Sequence, residues 1–228
     1  MNLLLLENPY DEAKGRITFM RISDLKGTYD AIFSLGDLCL ASMQLEKFDL
    51  RPYAGPLDWM STYNLANVNR LLRNHFANFM NYENLFVEKR LSEQLYLVRE
   101  TYYDFLSNHD FFTHNNFPPH LAAYPEVKAK YDRRVQRFME KMATARSILF
   151  IRTEGLLEDA QELQEVLSGL VAHDFKVLLI NHTAVPHVME TDWPLDKVCS
   201  IQMPNDDKWD GNDHLWAEIL QGIQLAEE

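Results

Sequence analysis

Short continuous apolar runs alternate along this chain with longer stretches in which apolar residues recur at helical spacing. Residues 28–36, TYDAIFSLG, carry Ile32, Phe33 and Leu35 and stop at Gly36, which predicts a buried strand closed by a tight turn. Asp37 is then the expected N-cap of a short helix from Leu38 to about Lys47. Pro52, Gly55 and Pro56 mark residues 51–62 as a structured loop. Leu65, Val68, Leu71, Leu72 and Phe76 predict a helix from about Asn64 to Phe76. The stretch 77–119 is rich in Phe, Tyr and Asn and shows no clear period. After the loop NNFPPH (115–120), Tyr124, Val127, Tyr131, Val135, Phe138 and Met142 form one stripe of a long helix. Arg133, Arg134 and Arg137 fall off that stripe, on a face expected to be solvated.

The clearest pattern follows. SILFIR (147–152) and FKVLLINH (175–182) read as buried strands, and Leu163, Val166, Leu167 and Leu170 line one face of a helix at about 157–171. Strand, helix and strand in that span form a βαβ unit, whose two strands should lie parallel. KVCSIQMP (197–204) predicts one more strand, and DHLWAEILQGI (213–223) a closing helix. The expected architecture is a single α/β domain over residues 1–228. It has a mainly parallel sheet flanked by helices, with a helical insertion at about 60–145 after the first strand-helix unit.

Composition narrows the function. With 46% hydrophobic and 25% charged residues, the chain has the make-up of a soluble globular protein. A formal net charge of −12 argues against non-specific binding to nucleic acid or to an anionic membrane. The start, MNLLLLENPYDEAKGR, has neither a basic n-region nor a small-residue cleavage site, so it is not expected to be a signal peptide. No apolar run approaches membrane-spanning length. With two cysteines and no CxxC pair, neither a disulfide framework nor a cysteine zinc site is indicated. A cytoplasmic protein with reduced thiols is expected.

Cys39 falls at the carboxyl end of the first strand, in the first turn of the following helix. There, helix-start amides would lower a thiol's pKa and could hold an oxyanion. The same residue could also be a small apolar side chain filling a gap. The segment SLGDLCLASMQLEKFDLRPYAGPLDWM resembles the opening motif of a bacterial family described as papain-like cysteine peptidases. The matching residues are Ser34, Leu35, Gly36, Cys39, Leu50, Arg51, Pro56, Asp58 and Trp59, with Leu57 where the family carries Phe. HDF (109–111), YDRRVQRF (131–138) and ILFIR (148–152) extend the resemblance. It implies a cysteine hydrolase with Cys39 as nucleophile. Papain-like enzymes place the cysteine helix before an antiparallel sheet, whereas the βαβ unit here implies parallel strands.

A cysteine nucleophile needs a base, and eight histidines are available. His109 is expected to serve, because it lies in the family-like HDF segment; Asp58 or Asp110 would hold its other ring nitrogen. His214 is the second choice, following Asp210 and Asp213 at the start of the last helix. A GDSL-type hydrolase pattern is matched only in part: Gly36, Asp37 and Leu38 are followed by Cys39, and Gly211 stands three before His214. The substrate is expected to meet Gly36, Asp37, Leu38, Trp59, Arg152 and His182. In this set, backbone amides from Gly36 to Leu40 hold the oxyanion, and Arg152 pairs with a substrate carboxylate or with Glu154. Asp58 could equally be a structural residue bonding loop amides, and His182 a strand-end residue capping the next loop. No histidine spacing matches a metal site, Cys199 reads as core, and no cofactor is implied.

Two functions remain open from the sequence. One is a cysteine-dependent hydrolase or acyltransferase acting on a small-molecule or peptide substrate. The other is a non-catalytic α/β binding module using the same cleft.

Overall fold

A computed structural model describes residues 19–227; the leucine-rich start discussed above lies outside the described residues. Two short strands open it, β1 (Gly27–Tyr29) and β2 (Ala31–Ser34), and β2 leads into helix α1 (Leu40–Lys47). The next segment contains β3 (Met60–Ser61), α2 (Leu65–Arg73), β4 (Leu85–Arg90), β5 (Tyr96–Glu100), β6 (Phe105–Ser107) and the long α3 (Tyr124–Thr144). The βαβ unit follows as β7 (Ser147–Thr153), α4 (Leu157–Leu170) and β8 (Asp174–Thr183). The chain closes with β9 (Met189–Thr191), β10 (Val198–Pro204), α5 (Asp213–Leu220) and β11 (Ile223–Leu225).

The central sheet has the order β2-β7-β8-β10-β9. The pairs β2/β7, β7/β8 and β8/β10 are parallel, as the apolar runs predict, and only the edge strand β9 is antiparallel. Both faces of this sheet are buried, which is why its strands read as continuous apolar runs. Alternation divides them between two cores. Phe33, Ile148, Phe150, Val177 and Leu179 point to the face covered by α2, α3 and α4. Ile32, Leu149, Ile151, Leu178, Ile180 and Ile201 point to the face shared with Leu40, Ala41 and Leu45 of α1 and Trp216 of α5.

Three expectations need correction. The insertion is not built of helices alone: between α2 and α3 lies a four-stranded antiparallel sheet in the order β3-β6-β5-β4. β4 is an exposed edge with only weak alternation of burial, so no period was visible there. Second, α1 starts at Leu40, with Cys39 itself at the N-cap position and no side-chain cap bond. Asp37 is therefore not the cap. Gly36 takes a left-handed turn (φ 80°), and the chain bends for three further residues before the helix begins. Third, the closing helix ends at Leu220; Gly222 (φ 81°) turns the chain into β11, which pairs in parallel with β1. No helix among the described residues is long and apolar enough to cross a membrane.

Candidate functional site

The carboxyl ends of β2, β7 and β8 lie side by side, and open α/β sheets bind ligands at such an edge. Gly36 makes the turn out of β2. A Cβ on it would stand 2.5 Å from Thr62 Oγ1 and 3.3 Å from an Arg152 nitrogen, so both the positive φ and the close approach require glycine. Its own N–H donates to Ser34 Oγ at 3.2 Å. Arg152, expected to face a substrate carboxylate or Glu154, is instead fully buried. It donates to Thr62 Oγ1 and Thr62 O, both at 2.6 Å, to Leu35 O at 3.0 Å and to the backbone carbonyl of Glu154 at 2.9 Å. The guanidinium thus ties together the end of β2, the end of the 51–62 loop and the turn after β7. Burial pulls Arg152 down to about 10, against the opposing charges of Asp37, 4.0 Å away, and Glu154. Burial likewise pushes the Asp37 carboxyl up, and Arg152 opposes it.

Cys39 is half-buried beside the half-buried Leu38. Its carbonyl accepts from Met43 N at 2.9 Å and from Ser42 Oγ at 2.8 Å. The helix start was expected to make its thiol acidic. Burial pushes the thiol up instead, and a backbone hydrogen bond opposes this only in part.

On the outer flank of this turn, Ser42 Oγ also donates to Asp58 O at 2.8 Å, which links α1 to the 51–59 loop. The Asp58 carboxylate accepts from Gly55 N at 2.8 Å and Arg51 at 3.1 Å. Burial raises its pKa against both partners. Trp59 meets His109 edge to face, with ring centroids 5.3 Å apart, and Arg51 lies over the same indole at 5.5 Å. Asp110 accepts from Ser107, from Lys130 and from the Tyr131 hydroxyl at 2.8 Å. Both aspartates expected to orient His109 are therefore engaged elsewhere: Asp58 fixes its loop, and Asp110 ties the 107–110 turn to α3. Of the α3 arginines, Arg133 and Arg137 are exposed, as expected of a solvated face, although Arg137 lies over Tyr53 at 4.5 Å; Arg134 is half-buried over Tyr131 at 5.5 Å.

The inner flank holds a pair that the sequence did not announce. Glu154, just after β7, has a left-handed backbone (φ 60°), a conformation that costs a residue other than glycine about 1–3 kcal/mol. Its carboxylate lies 2.7 Å from His182 Nδ1. The His182 side chain is 1% exposed, and its Nε2 is buried with no hydrogen-bond partner among the described residues. Burial would raise the Glu154 pKa, but the hydrogen bond and charge of His182 outweigh it and hold the carboxyl below its ordinary value. A strand count could have found this pair, because Thr153 and Ile180 are partners across β7 and β8. Residues one and two positions further on then meet at the sheet edge. Beside them a cleft of about 620 Å³ is lined by Tyr63, Asn64, Leu65, Glu154, Gly155 and Asn181, among others.

His214 is exposed, its Nδ1 3.2 Å from Gly211 O in its own loop, and neighbouring Asp213 is bound by Gln44 and Lys47 of α1. Among the described residues, no group of three His, Cys, Asp or Glu side chains could hold a metal ion.

The family model described as "Putative papain-like cysteine peptidase (DUF1796)" matches residues 30–185, a span that includes Cys39, His109 and His182. An uncharacterized protein, R408, of Acanthamoeba polyphaga mimivirus is 23% identical over 173 residues, covering 66% of this chain and 76% of its own. That relative is a viral protein. No solved structure matches the chain.

Proposed function

We propose that this chain, which belongs to the family described as "Putative papain-like cysteine peptidase (DUF1796)", is a cysteine-dependent hydrolase or acyltransferase in which the Cys39 sulfur attacks an acyl carbon. The observation that carries the reading is the place of Cys39. It stands half-exposed at the start of α1, on the carboxyl edge of a parallel sheet, where the glycine turn and the Arg152 clamp fix the backbone. Because burial keeps the thiol protonated at neutral pH, the helix start alone does not activate it. A base has to remove the proton during attack. The acyl group belongs to a small molecule or a peptide.

The same raised thiol pKa also favours a second reading, a binding module with an inert cysteine at its edge. Labelling with iodoacetamide at pH 7, followed by mass spectrometry, separates the two. Cys39 reacting several-fold faster than free cysteine, while buried Cys199 stays unlabelled, supports the enzyme. A Cys39 no faster than free cysteine supports the binding module.

A further inference from the structure

We infer that His182, held by Glu154, is the base that takes the proton from Cys39, an assignment that rests on the cysteine-dependent reading above. Alternation along β8 sends Leu178, Ile180 and His182 to one face of the sheet. On that face Leu178 and Ile180 pack with Leu40, Ala41 and Leu45 of α1, the helix that Cys39 begins. Asp37, two residues before Cys39, is close enough to His182 for their charges to act on each other.

The chemistry of the ring agrees with that placement. An ionised carboxylate can only accept, so the 2.7 Å contact with Glu154 puts a proton on Nδ1. In the neutral ring, Nε2 is then left as a lone pair. That nitrogen is buried without a partner among the described residues, and in the neutral ring what it lacks is a donor. The thiol of Cys39, kept protonated by burial, is a donor at the same edge. His109 offers no comparable arrangement. It is exposed on Trp59, and both neighbouring aspartates are engaged elsewhere.

In the step, the S–H proton passes to Nε2 as a sulfur electron pair forms the C–S bond and the carbonyl π pair moves onto oxygen. When that pair returns, the bond to the leaving group breaks, and the imidazolium gives its proton to the departing atom. Glu154 is a positioning residue, fixing the tautomer and stabilising the imidazolium.

The test is the rate of Cys39 alkylation by iodoacetamide at pH 7 in the full chain, with melting curves as a check on folding. His182→Gln should slow labelling about 10- to 100-fold, and His109→Gln should stay within about twofold of wild type. Glu154→Gln, which keeps the imidazole in place, should also be slow, and Glu154→Asp should recover part of the rate. Wild-type labelling in both His182→Gln and Glu154→Gln, or a slow His109→Gln beside a normal His182→Gln, overturns the assignment and leaves the Cys39 reading standing. Wild-type protein labelling no faster than free cysteine overturns that reading, and the assignment falls with it.

Discussion

Cys39 and Cys199 both have their thiols pushed up by burial, and they differ in address. Cys199 is fully buried near the start of β10, and burial, helped by the charges of Glu190 and Asp24, pushes its thiol up to about 12. Cys39 stands half-exposed at a helix start, and burial pushes its thiol up as well. Neither is a preformed thiolate at neutral pH. What separates them is access and neighbours: Cys39 lies half-exposed at the start of α1 on the sheet's carboxyl edge, and Cys199 lies in a core shared with Leu178, Ile180, Ile201 and Trp216. A helix N-terminus is thus too weak to mark a reactive cysteine by itself when desolvation opposes it.

The largest effect should come from removing the first thiol. Cys39→Ala is expected to lower acyl transfer from p-nitrophenyl acetate by at least about 10³-fold, because the nucleophile is lost outright. Its melting temperature should stay within about 3 °C of wild type, since a half-exposed side chain at a helix start leaves little cavity. Cys199→Ala should keep the activity. Equal loss in both variants would erase the distinction between the two cysteines.

Next in size is the turn that presents Cys39. Gly36→Ala forces a Cβ to within 2.5 Å of Thr62 Oγ1 at φ 80°, so Thr62 and the Arg152 clamp behind it must move. A loss of about 3 kcal/mol in denaturant unfolding is expected. Cys39 labelling should change with it, and Cys199 should stay protected in the folded protein. Unaltered stability and labelling would mean that the turn does not hold the thiol in place.

The parallel core was legible in the sequence because each of its strands is buried on both faces and announces itself as an apolar run. Helix α3 was legible for a related reason: Val127, Tyr131, Phe138 and Met142 must reach one core. The antiparallel sheet of the insertion was hidden. β4 has three exposed residues at its end, and the pairing of β3 with β6 joins segments some 45 residues apart, which no local period records. At the site, Cys39 and the glycine turn could be read from residue types. Asp37 could not, because local capping competes with a distant arginine, and burial beside that arginine won. The Glu154–His182 pair was harder to read: counting along β7 and β8 brings the two residues to one sheet edge, but their contact also needs a left-handed backbone at Glu154, which no local pattern records.

The smallest expected effect separates the two thiols by pH. Replacing Cys199 with alanine leaves a cavity of one sulfur atom and should cost about 1 kcal/mol at pH 7. The folded thiol titrates at about 12 and the unfolded one near its ordinary 9.0, so the unfolded state loses its proton first. The stability this contributes is therefore whole below pH 9 and declines between pH 9 and 12, by about 1.4 kcal/mol per pH unit. Alanine has no proton to lose. The wild type should be the more stable protein at pH 7, and the two stability curves should cross at about pH 10, with Cys199→Ala the more stable above it. Urea unfolding at pH 7, 9, 10 and 11 reads this directly. Parallel curves with no crossing would show that the Cys199 thiol ionises as easily in the folded protein as in the unfolded chain, and would break the contrast between a sealed cysteine and an accessible one.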